Sequence, residues 1–507
     1  ADVDAASGTM TATLSVGEGA ITVVEGDSGV TISGGNGTGT VTLTGTLTQI
    51  DNLLTGSSTG TITYLNSSNT PSSSTTITVT VNDGGNTGID PGLTGDGSSE
   101  QDSASQTINL TAVNDTPTVN GPGSAYSVNE QTNMTIEGTG FTVADVDAAS
   151  GSLTATLSVG EGAITVVEGD SGVTISGGNG SGTVTLTGTL TQIDNLLTGS
   201  STGTITYLNS SDTPSASTTI TVTVNDGGNT GIDPGLTGDG SSEQDSANQT
   251  INITAVNDTP VVNGPGSAYS VNEQANLTIE GTGFTVADVD AASGSLTATL
   301  SVGEGAITVV EGDSGVTISG GNGSDTVTLT GTLTQIDNLL TGAGTGTITY
   351  LNNSDTPSAS TTITITVNDA GNTGIDPGLT GDGSSEQDSA NQTINLTAVN
   401  DTPVVNGPGS AYSVNEQTNL TIEGTGFTVA DVDAASGTMT ATLSVGEGAI
   451  TVVEGDSGVT ISGGNGTGTV TLTGTLSQID NLLTGASTGT ITYLNNSDTP
   501  SASTTIT

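Results

Sequence analysis

The most informative feature of the composition is the absence of every basic residue. The 507-residue chain has no Lys, Arg, His, Cys or Trp, whereas 52 Asp and Glu residues give it a formal net charge of −52. Without Cys it forms neither disulfides nor thiolate sites, and without His, Cys or Lys the usual pairs of a nucleophile and a base cannot be built. So negative a chain repels phosphate backbones, and we therefore expect no nucleic-acid partner.

Long apolar stretches are missing as well. No run approaches the roughly 18 consecutive apolar residues of a membrane-spanning helix, so we expect no direct membrane insertion. Hydrophobic residues make up 31% of the chain and aromatic residues 2%, which is close to the composition of disordered proteins. Because the apolar residues alternate with Thr and Ser, we predict instead a folded protein with a thin core that needs an external stabiliser.

What the chain does contain is a tandem repeat. The octapeptide ADVDAASG starts at Ala1, Ala144, Ala287 and Ala430, so the period is 143 residues. A unit of this length is the size of a domain with its own core, and we expect the chain to be part of a longer array. The predicted domains are residues 1–115 (truncated at its start), 116–258, 259–401 and 402–507 (truncated at its end).

Inside a repeat the apolar residues recur with a period of two, which is typical of half-buried strands. In the second repeat the predicted strands are 152–159, 182–188, 203–208, 217–224 and 248–256. The segment 189–199 differs, because Leu190, Ile193, Leu196 and Leu197 have helical spacing and Gly199 follows as a stop signal. The predicted fold is all-β: tandem Greek-key β-sandwiches with one short helix per repeat.

Acidic residues recur at the predicted domain boundaries. The heptapeptide TAVNDTP occupies 111–117 and returns at 254–260 and 397–403. Downstream of it, Asp145 and Asp147 are two residues apart, so their carboxylates face the same side of an extended segment. Carboxylates and carbonyls without nitrogen or sulfur ligands form a hard-oxygen site, which suits Ca²⁺ better than Mg²⁺. The alternative is that these residues are turn formers and solubilising charges.

These motifs resemble a known family. AVNDTP at the boundary, NE about fifteen residues later and DVD about thirty residues later are similar to bacterial cadherin-like repeats. The 143-residue unit with GTLTQIDNLLTG and GTITYL resembles the repeat domain of giant type I-secreted bacterial adhesins. The resemblance implies cadherin/Ig-like β-sandwiches in an extended rod, in which Ca²⁺ is held between neighbouring domains. The ligands would be the linker Asn-Asp, the Asp-x-Asp of the following domain and a Glu near the start of the preceding one.

Carried over residue by residue, the resemblance implies one ligand set for each junction. The first set is Asn114, Asp115, Asp145, Asp147 and Asp226; the second is Glu130, Asn257, Asp258, Asp288, Asp290 and Asp369; the third is Glu273, Asn400, Asp401, Asp431 and Asp433. The equivalent acidic positions of the first repeat are Asp2, Asp4 and Asp83. The family's Asp-Arg-Glu element has no match, and the acidic segment 231–245 has no counterpart, so the number of ions per junction stays open.

We therefore expect a structural extender region of a secreted, extracellular cell-surface adhesin that mediates surface attachment and biofilm cohesion, with neighbouring repeats as partners. One alternative is a self-assembling extracellular filament, in which copies of the chain join by strand donation. Another is binding of ice or glycan through Thr-rich strand faces. We expect no catalysis, because nothing raises one carboxylate pKa or shapes a cleft. GGNGSDTVT at 320–328 matches a Ca²⁺-binding β-roll nonapeptide, but without stacked neighbours we expect a turn before a strand.

Overall fold

The computed structural model describes residues 8–85, 100–148, 150–228, 243–291, 293–371, 375 and 386–507. Asp2 and Asp4 lie outside these residues, as does most of the acidic segment 231–245. The chain divides into two compact units, Ala1–Val256 and Asn257–Thr507. The bounds of the four predicted domains stay predictions.

The first unit contains eighteen described strands and two helices. Its first repeat contains β1 (Thr9–Val16), β2 (Ala20–Val24), β3 (Thr31–Gly34), β4 (Thr40–Thr46), α1 (Leu47–Leu54), β5 (Thr61–Leu65), β6 (Ser74–Asn82) and β7 (Gln101–Asn109). Its second repeat contains β8 (Thr118–Asn120), β9 (Tyr126–Asn129), β10 (Met134–Thr135), β11 (Thr142–Ala144), β12 (Ser152–Val159), β13 (Ala163–Val167), β14 (Thr174–Gly177), β15 (Thr183–Thr189), α2 (Leu190–Leu197), β16 (Thr204–Leu208), β17 (Ser217–Asn225) and β18 (Gln244–Thr254).

The second unit repeats this order. Its first repeat contains β19 (Val261–Asn263), β20 (Tyr269–Asn272), β21 (Asn276–Thr278), β22 (Thr285–Ala287), β23 (Ser295–Val302), β24 (Ala306–Val310), β25 (Thr317–Gly320), β26 (Thr326–Thr332), α3 (Leu333–Thr341), β27 (Thr347–Leu351), β28 (Ser360–Asn368) and β29 (Gln387–Thr397). The last repeat contains β30 (Val404–Asn406), β31 (Leu420–Thr421), β32 (Thr428–Ala430), β33 (Thr438–Ser444), β34 (Ala449–Val453), β35 (Thr460–Gly463), β36 (Thr469–Thr475), α4 (Leu476–Leu483) and β37 (Thr490–Leu494).

Among the described residues, three sheets form each complete repeat, the smallest of which is the antiparallel pair β19-β22 in residues 259–401 and β8-β11 in residues 116–256. In residues 259–401 a six-stranded sheet has the order β20-β29-β28-β23-β26-β25, and a three-stranded sheet has the order β21-β27-β24. The pairings are antiparallel except that β20 runs parallel to β29. Residues 116–256 have the same orders, β14-β15-β12-β17-β18-β9 and β10-β16-β13. Neighbouring strands in the sheets are often not consecutive in the chain. The prediction of tandem all-β sandwiches is confirmed.

The core lies between the sheet faces to which the alternating apolar residues point. In β23 Leu296, Ala298 and Leu300 are fully buried and alternate with the solvent-facing Thr and Ser. Tyr350 is also fully buried, and its hydroxyl donates to the carbonyl of Glu304 at 2.9 Å. The hydroxyl of this buried tyrosine therefore has the hydrogen-bond partner that a buried phenol needs. No described helix has both the length and the apolar character needed to cross a bilayer.

The predicted helix is confirmed as α2. A capping box fixes its start: Gln192 N–H donates to Thr189 Oγ1 at 3.3 Å, and Thr189 N–H donates to Gln192 Oε1 at 2.8 Å. Ile193, Leu196 and Leu197 are buried against the sheets. Gly199 follows the helix with a φ of 69°, in the left-handed region where glycine is favoured.

Changing Gln192 to Ala is expected to destabilise the second repeat by about 1 kcal/mol, because the box loses one of its two hydrogen bonds. Urea unfolding followed by hydrogen exchange of residues 116–256 measures this change. The exposed Thr191 on the same helix is the control, and Thr191→Ala should leave stability unchanged within about 0.5 kcal/mol. Equal effects of the two variants would mean that the box contributes nothing.

The segment 320–328 forms a turn before β26, as predicted. Asn322 links this turn to β24 through both atoms of its amide: Oδ1 accepts from Val309 N–H at 2.7 Å, and Nδ2 donates to the Val309 carbonyl at 2.9 Å. Gly321 has a φ of 70°, and a Cβ there would lie 1.8 Å from the Thr326 carbonyl oxygen. The glycines and Asn of this motif therefore have a structural role in the turn.

Candidate metal centre

The first boundary motif is held by the acidic residues of the repeat that follows it. Asn114 Nδ2 donates to Asp226 Oδ2 at 3.0 Å, and Asp115 N–H donates to Asp147 Oδ2 at 3.1 Å. Asp147 N–H in turn donates to Asp145 Oδ1 at 3.1 Å. Asn114 Nδ2 also donates to the Asp115 carbonyl at 3.4 Å, so the five residues predicted for the first junction are connected by hydrogen bonds.

Two strand ends position these carboxylates. Asp145 and Asp147 follow β11 directly, and Asp145 Oδ1 also accepts from Ala148 N–H at 3.2 Å, which closes a tight turn. Asp226 follows β17, and its Oδ1 accepts from Gly228 N–H at 2.9 Å. Asp145 and Asp226 therefore each have one oxygen bonded to their own turn, whereas Asp147 Oδ2 accepts from Asp115 of the boundary motif.

The same arrangement recurs in residues 257–371. Asp288, Asp290 and Asp369 each place one carboxylate oxygen within 4.8 Å of the others. Asn257 Nδ2 donates to Asp369 Oδ2 at 3.0 Å, and Asp258 N–H donates to Asp290 Oδ2 at 3.1 Å. Three carboxylates this close repel one another strongly, and the sequence contains no basic side chain to offset the repulsion.

The third boundary is the one at which the predicted Glu of the preceding repeat can be placed. Glu273, which is 3% exposed, accepts from Val399 N–H at 2.7 Å through Oε1. Asp401 N–H donates to Asp433 Oδ2 at 2.9 Å. Asn400 is exposed, whereas Asn114 is buried. Asn400 donates to the carbonyl of Asp401.

Several carboxylate oxygens in these clusters are buried without a hydrogen-bond donor. They are Asp145 Oδ2, Asp147 Oδ1, Asp288 Oδ2, Glu273 Oε2, Asp401 Oδ2 and Asp433 Oδ1. A buried polar atom without a partner is destabilising by about 1–3 kcal/mol, and more when it is charged. Each boundary thus contains acceptor atoms to which no residue in the described part of the chain donates, and a cation could satisfy them.

Burial and mutual repulsion change the acidity of these groups. Burial is the main cause that raises the pKa of Asp145 to about 6, and the charges of Asp147 and Asp226 add to it. The pKa of Asp288 is likewise raised to about 6, again mainly by burial. Protonation is therefore one way to relieve the clusters, and metal binding is the other.

Asp355 is an acidic residue of the third cluster that the sequence did not indicate. Burial first, and then the negative charge of Asp355, raises the pKa of Asp401, followed by smaller contributions from other acids including Asp433 and Glu273. Asp355 Oδ1 accepts from Gln274 Nε2 at 2.6 Å, directly after Glu273 in the chain. Gln274 has a φ of 58°, which is strained for a residue with a side chain.

A weak signal for Asp355 does exist in the sequence. The tripeptide Asp-Thr-Pro recurs at Asp212, Asp355 and Asp498, in the loop after the GTITYL strand. In the first repeat Asn69 occupies this position. This signal does not show that the loop lies near Glu273 and Asp401, because that proximity depends on strand pairing between distant segments.

The remaining predicted residues lie as follows. Glu130 is 1% exposed, and its Oε1 accepts from Val256 N–H at 2.8 Å, as Glu273 does from Val399. Asp83 is half-buried, and its Oδ1 accepts from Gly85 N–H at 3.2 Å. Asp431 is half-buried and accepts from Asp433 N–H at 3.2 Å.

The metal-free protein is expected to be most stable between about pH 4 and pH 6. Asp145 and Asp288 have raised folded-state pKa values of about 6, so the stability they contribute is complete below their unfolded values and is lost as pH rises through about 6. A hydrogen bond from Asn352 lowers the pKa of Glu304, whose contribution is lost as pH falls through its folded value. Thermal melts of dialysed protein from pH 3 to pH 8 measure both limbs.

The double variant Asp145→Asn, Asp288→Asn is the control for this pH series. It should lose much of the decrease in melting temperature between pH 5 and pH 8 and keep the decrease below pH 4, which has a separate cause. An unchanged decrease above pH 5 in this variant would show that these two carboxylates do not cause it.

Comparison with known proteins gives only distant likenesses. No protein-family model matches the chain, and no curated protein matches it. Similar solved structures include protocadherin gammaB7 EC3-6, in a structure described as a cis-dimer, at 12% identity, covering 96% of this chain and 88% of that chain with a TM-score of 0.27. Mouse cadherin-23 EC22-24 is 14% identical, covering 75% of this chain and 86% of that chain with a TM-score of 0.26. The human desmocollin-1 ectodomain is 11% identical, covering 97% and 73% with a TM-score of 0.22.

TM-scores this low establish no family, and the β-sandwich fold rests on the strand orders and registers described above. The three structures named here are of cadherin ectodomains.

Proposed function

We propose that the chain is the structural extender region of a secreted bacterial cell-surface adhesin, in which Ca²⁺ stiffens the joints between cadherin-like repeats. The observation that carries the proposal is the third boundary. There Glu273 from the preceding repeat, Asp401 from the linker and Asp433 from the following repeat each have a buried oxygen without a donor. A cation that bound these oxygens would join the two repeats.

The donor set favours Ca²⁺ over other ions. Every side-chain donor is a carboxylate or amide oxygen, and the chain has no His or Cys to select a transition metal. Irregular clusters of oxygens suit the six to eight ligands of Ca²⁺ better than the strict octahedron of Mg²⁺. We extend the proposal to Asn257, Asp258, Asp288, Asp290 and Asp369, and to Asn114, Asp115, Asp145, Asp147 and Asp226; Glu130 has the same environment in its repeat as Glu273.

The bound ion would have a structural role, which is to stiffen the joints between repeats. Before Ca²⁺ binds, repulsion between like charges keeps each joint loose, which suits export of a chain through a narrow channel where free Ca²⁺ is low. Outside the cell, Ca²⁺ would hold consecutive repeats in one orientation and keep a binding tip away from the cell surface. The proposed location is therefore extracellular, and the proposed role is surface attachment and biofilm cohesion.

Imaging of single molecules by atomic force microscopy, with excess EDTA and then with millimolar Ca²⁺, tests this proposal. Ca²⁺ is expected to narrow the distribution of angles between repeats and to increase the mean end-to-end distance, and the same concentration of Mg²⁺ is expected to do neither. In Asp401→Asn, Asp433→Asn one joint should stay loose in Ca²⁺. Equal distributions in EDTA and Ca²⁺ would overturn the stiffening role.

A further inference from the structure

The loop that follows β27, residues 352–358, is held in place from two sides. On one side the Glu304 carboxylate accepts from Asn352 Nδ2 at 2.8 Å and from Ser358 N–H at 3.1 Å. Asn352, which is 2% exposed, uses its Oδ1 to accept from Ser354 N–H at 2.8 Å. The first and last residues of the loop are therefore bound to one carboxylate, which fixes the shape of the loop between them.

On the other side Gln274 connects this loop to the third boundary. Its N–H donates to the Asn352 carbonyl at 2.6 Å, and its Nε2 donates to Asp355 Oδ1 at 2.6 Å. Gln274 directly follows Glu273, whose Oε2 is buried without a donor at this boundary. The φ of Gln274 is 58°, and strain of this kind persists only where the surrounding structure holds it. The loop thus keeps the Asp355 carboxylate beside the boundary.

The Asp355 carboxylate is held where its negative charge is unfavourable in the metal-free protein. After burial, the charge of Asp355 is the largest cause that raises the pKa of Asp401, ahead of Asp433. Like charges at short distance are destabilising, and the sequence has no basic side chain to offset them. A clamped loop and a strained backbone that keep such a charge in place indicate a role in binding a cation.

We propose that Asp355 increases the affinity of the third boundary for a divalent cation, and that the first boundary binds the same cation more weakly because Asn69 stands at the equivalent position. This inference rests on the proposed Ca²⁺ role of the boundaries. The loop around Asn69 is clamped in the same way, since Glu18 accepts from Asn66 Nδ2 at 2.7 Å and from Ser72 N–H at 3.0 Å. The first repeat therefore has the same loop with one negative charge fewer.

The consequence is a graded response of the chain to Ca²⁺. The affinity of a Ca²⁺ site depends on the number of its charged groups and on its rigidity. The clamp gives both loops a fixed shape, so the charge at the position of Asp355 and Asn69 is the difference between them. The third boundary would become rigid at a lower Ca²⁺ concentration than the first one.

Hydrogen exchange of the full 507-residue protein at a series of free Ca²⁺ concentrations tests the proposal, because it reports on each boundary separately. The measured value is the Ca²⁺ concentration at which residues 397–403 are half-protected. In Asp355→Asn this concentration should rise about tenfold, because one unit charge is removed from the neighbourhood of a divalent ion. The value for residues 254–260 should not change. The Asn side-chain oxygen still accepts from Gln274, so the variant removes the charge and keeps the loop.

The reciprocal variant is Asn69→Asp, which should lower the half-protection concentration of residues 111–117 about tenfold. Asp313→Asn is the matched control, because it also removes one negative charge and alters a carboxylate that accepts from a backbone N–H, that of Thr345 at 2.5 Å. Asp313 belongs to none of the three ligand sets, so this variant should shift neither value.

The outcomes separate this inference from the proposed function. If Ca²⁺ protects no boundary in the parent protein, the proposed Ca²⁺ role is wrong, and this inference with it. If Ca²⁺ protects the boundaries of the parent but neither Asp355→Asn nor Asn69→Asp shifts its half-protection concentration, only this inference is wrong. An equal shift in Asp313→Asn would also overturn it, because the effect would then come from net charge alone.

Discussion

Adding millimolar Ca²⁺ to the metal-free protein is expected to raise its melting temperature strongly, whereas equal Mg²⁺ should change it little. An ion that binds the folded form alone stabilises it by about 4 kcal/mol when its free concentration is a thousand times its Kd. The effect is large because Ca²⁺ also removes repulsion among Asp288, Asp290 and Asp369, which are clustered within 4.8 Å. Differential scanning calorimetry in EDTA and in Ca²⁺ measures it.

The double variant Asp288→Asn, Asp290→Asn should lose the Ca²⁺-dependent shift of one repeat and keep the shift of the others. In EDTA it should be at least as stable as the parent, because two mutually repelling charges are gone. The control is Asp325→Asn, which removes an exposed carboxylate at a position where the other repeats have Gly. Identical melts of the parent in EDTA and Ca²⁺ would mean that the acidic residues are only solvated turn residues and bind no ion.

Changing Phe284 to Ala is expected to destabilise its repeat by about 3–5 kcal/mol, the usual loss for a fully buried phenylalanine. The equivalent change, Phe427→Ala, should cost clearly less, about 1–2 kcal/mol, because this ring is only half-buried. The two positions have the same local sequence, so the comparison isolates the contribution of burial.

Urea unfolding with hydrogen exchange, read separately for residues 259–401 and 402–507, measures both values. Equal effects of the two substitutions would mean that the different burial of the two rings does not set their contributions to stability.

Much of the fold was predictable because its signals are local. Alternation of apolar residues with Thr is visible in segments such as 152–159, and the helix 190–197 is specified by Leu and Ile spacing together with its capping Thr and Gln. Neither of these two signals depends on distant contacts, and both predictions are confirmed. The pairing of β20 parallel to β29 was not predicted, since more than a hundred residues separate the two strands and nothing in either one specifies its partner.

The candidate site was only partly predictable. Asp145 and Asp147 could be paired because alternate residues of an extended segment face one way. Asp355 was missed because its loop lies near Asp401 only through strand order, and the strain at Gln274 that helps hold it is a backbone property.

By itself, the sequence determined the 143-residue period, the sandwich-forming strands and the excess of negative charge. These follow from local backbone preferences and from composition, which act on each segment separately. Only the tertiary structure decided which carboxylates meet and which of their oxygens are left without donors. Those features depend on contacts such as that between Asn114 and Asp226, 112 residues apart, which form only when the sheets assemble.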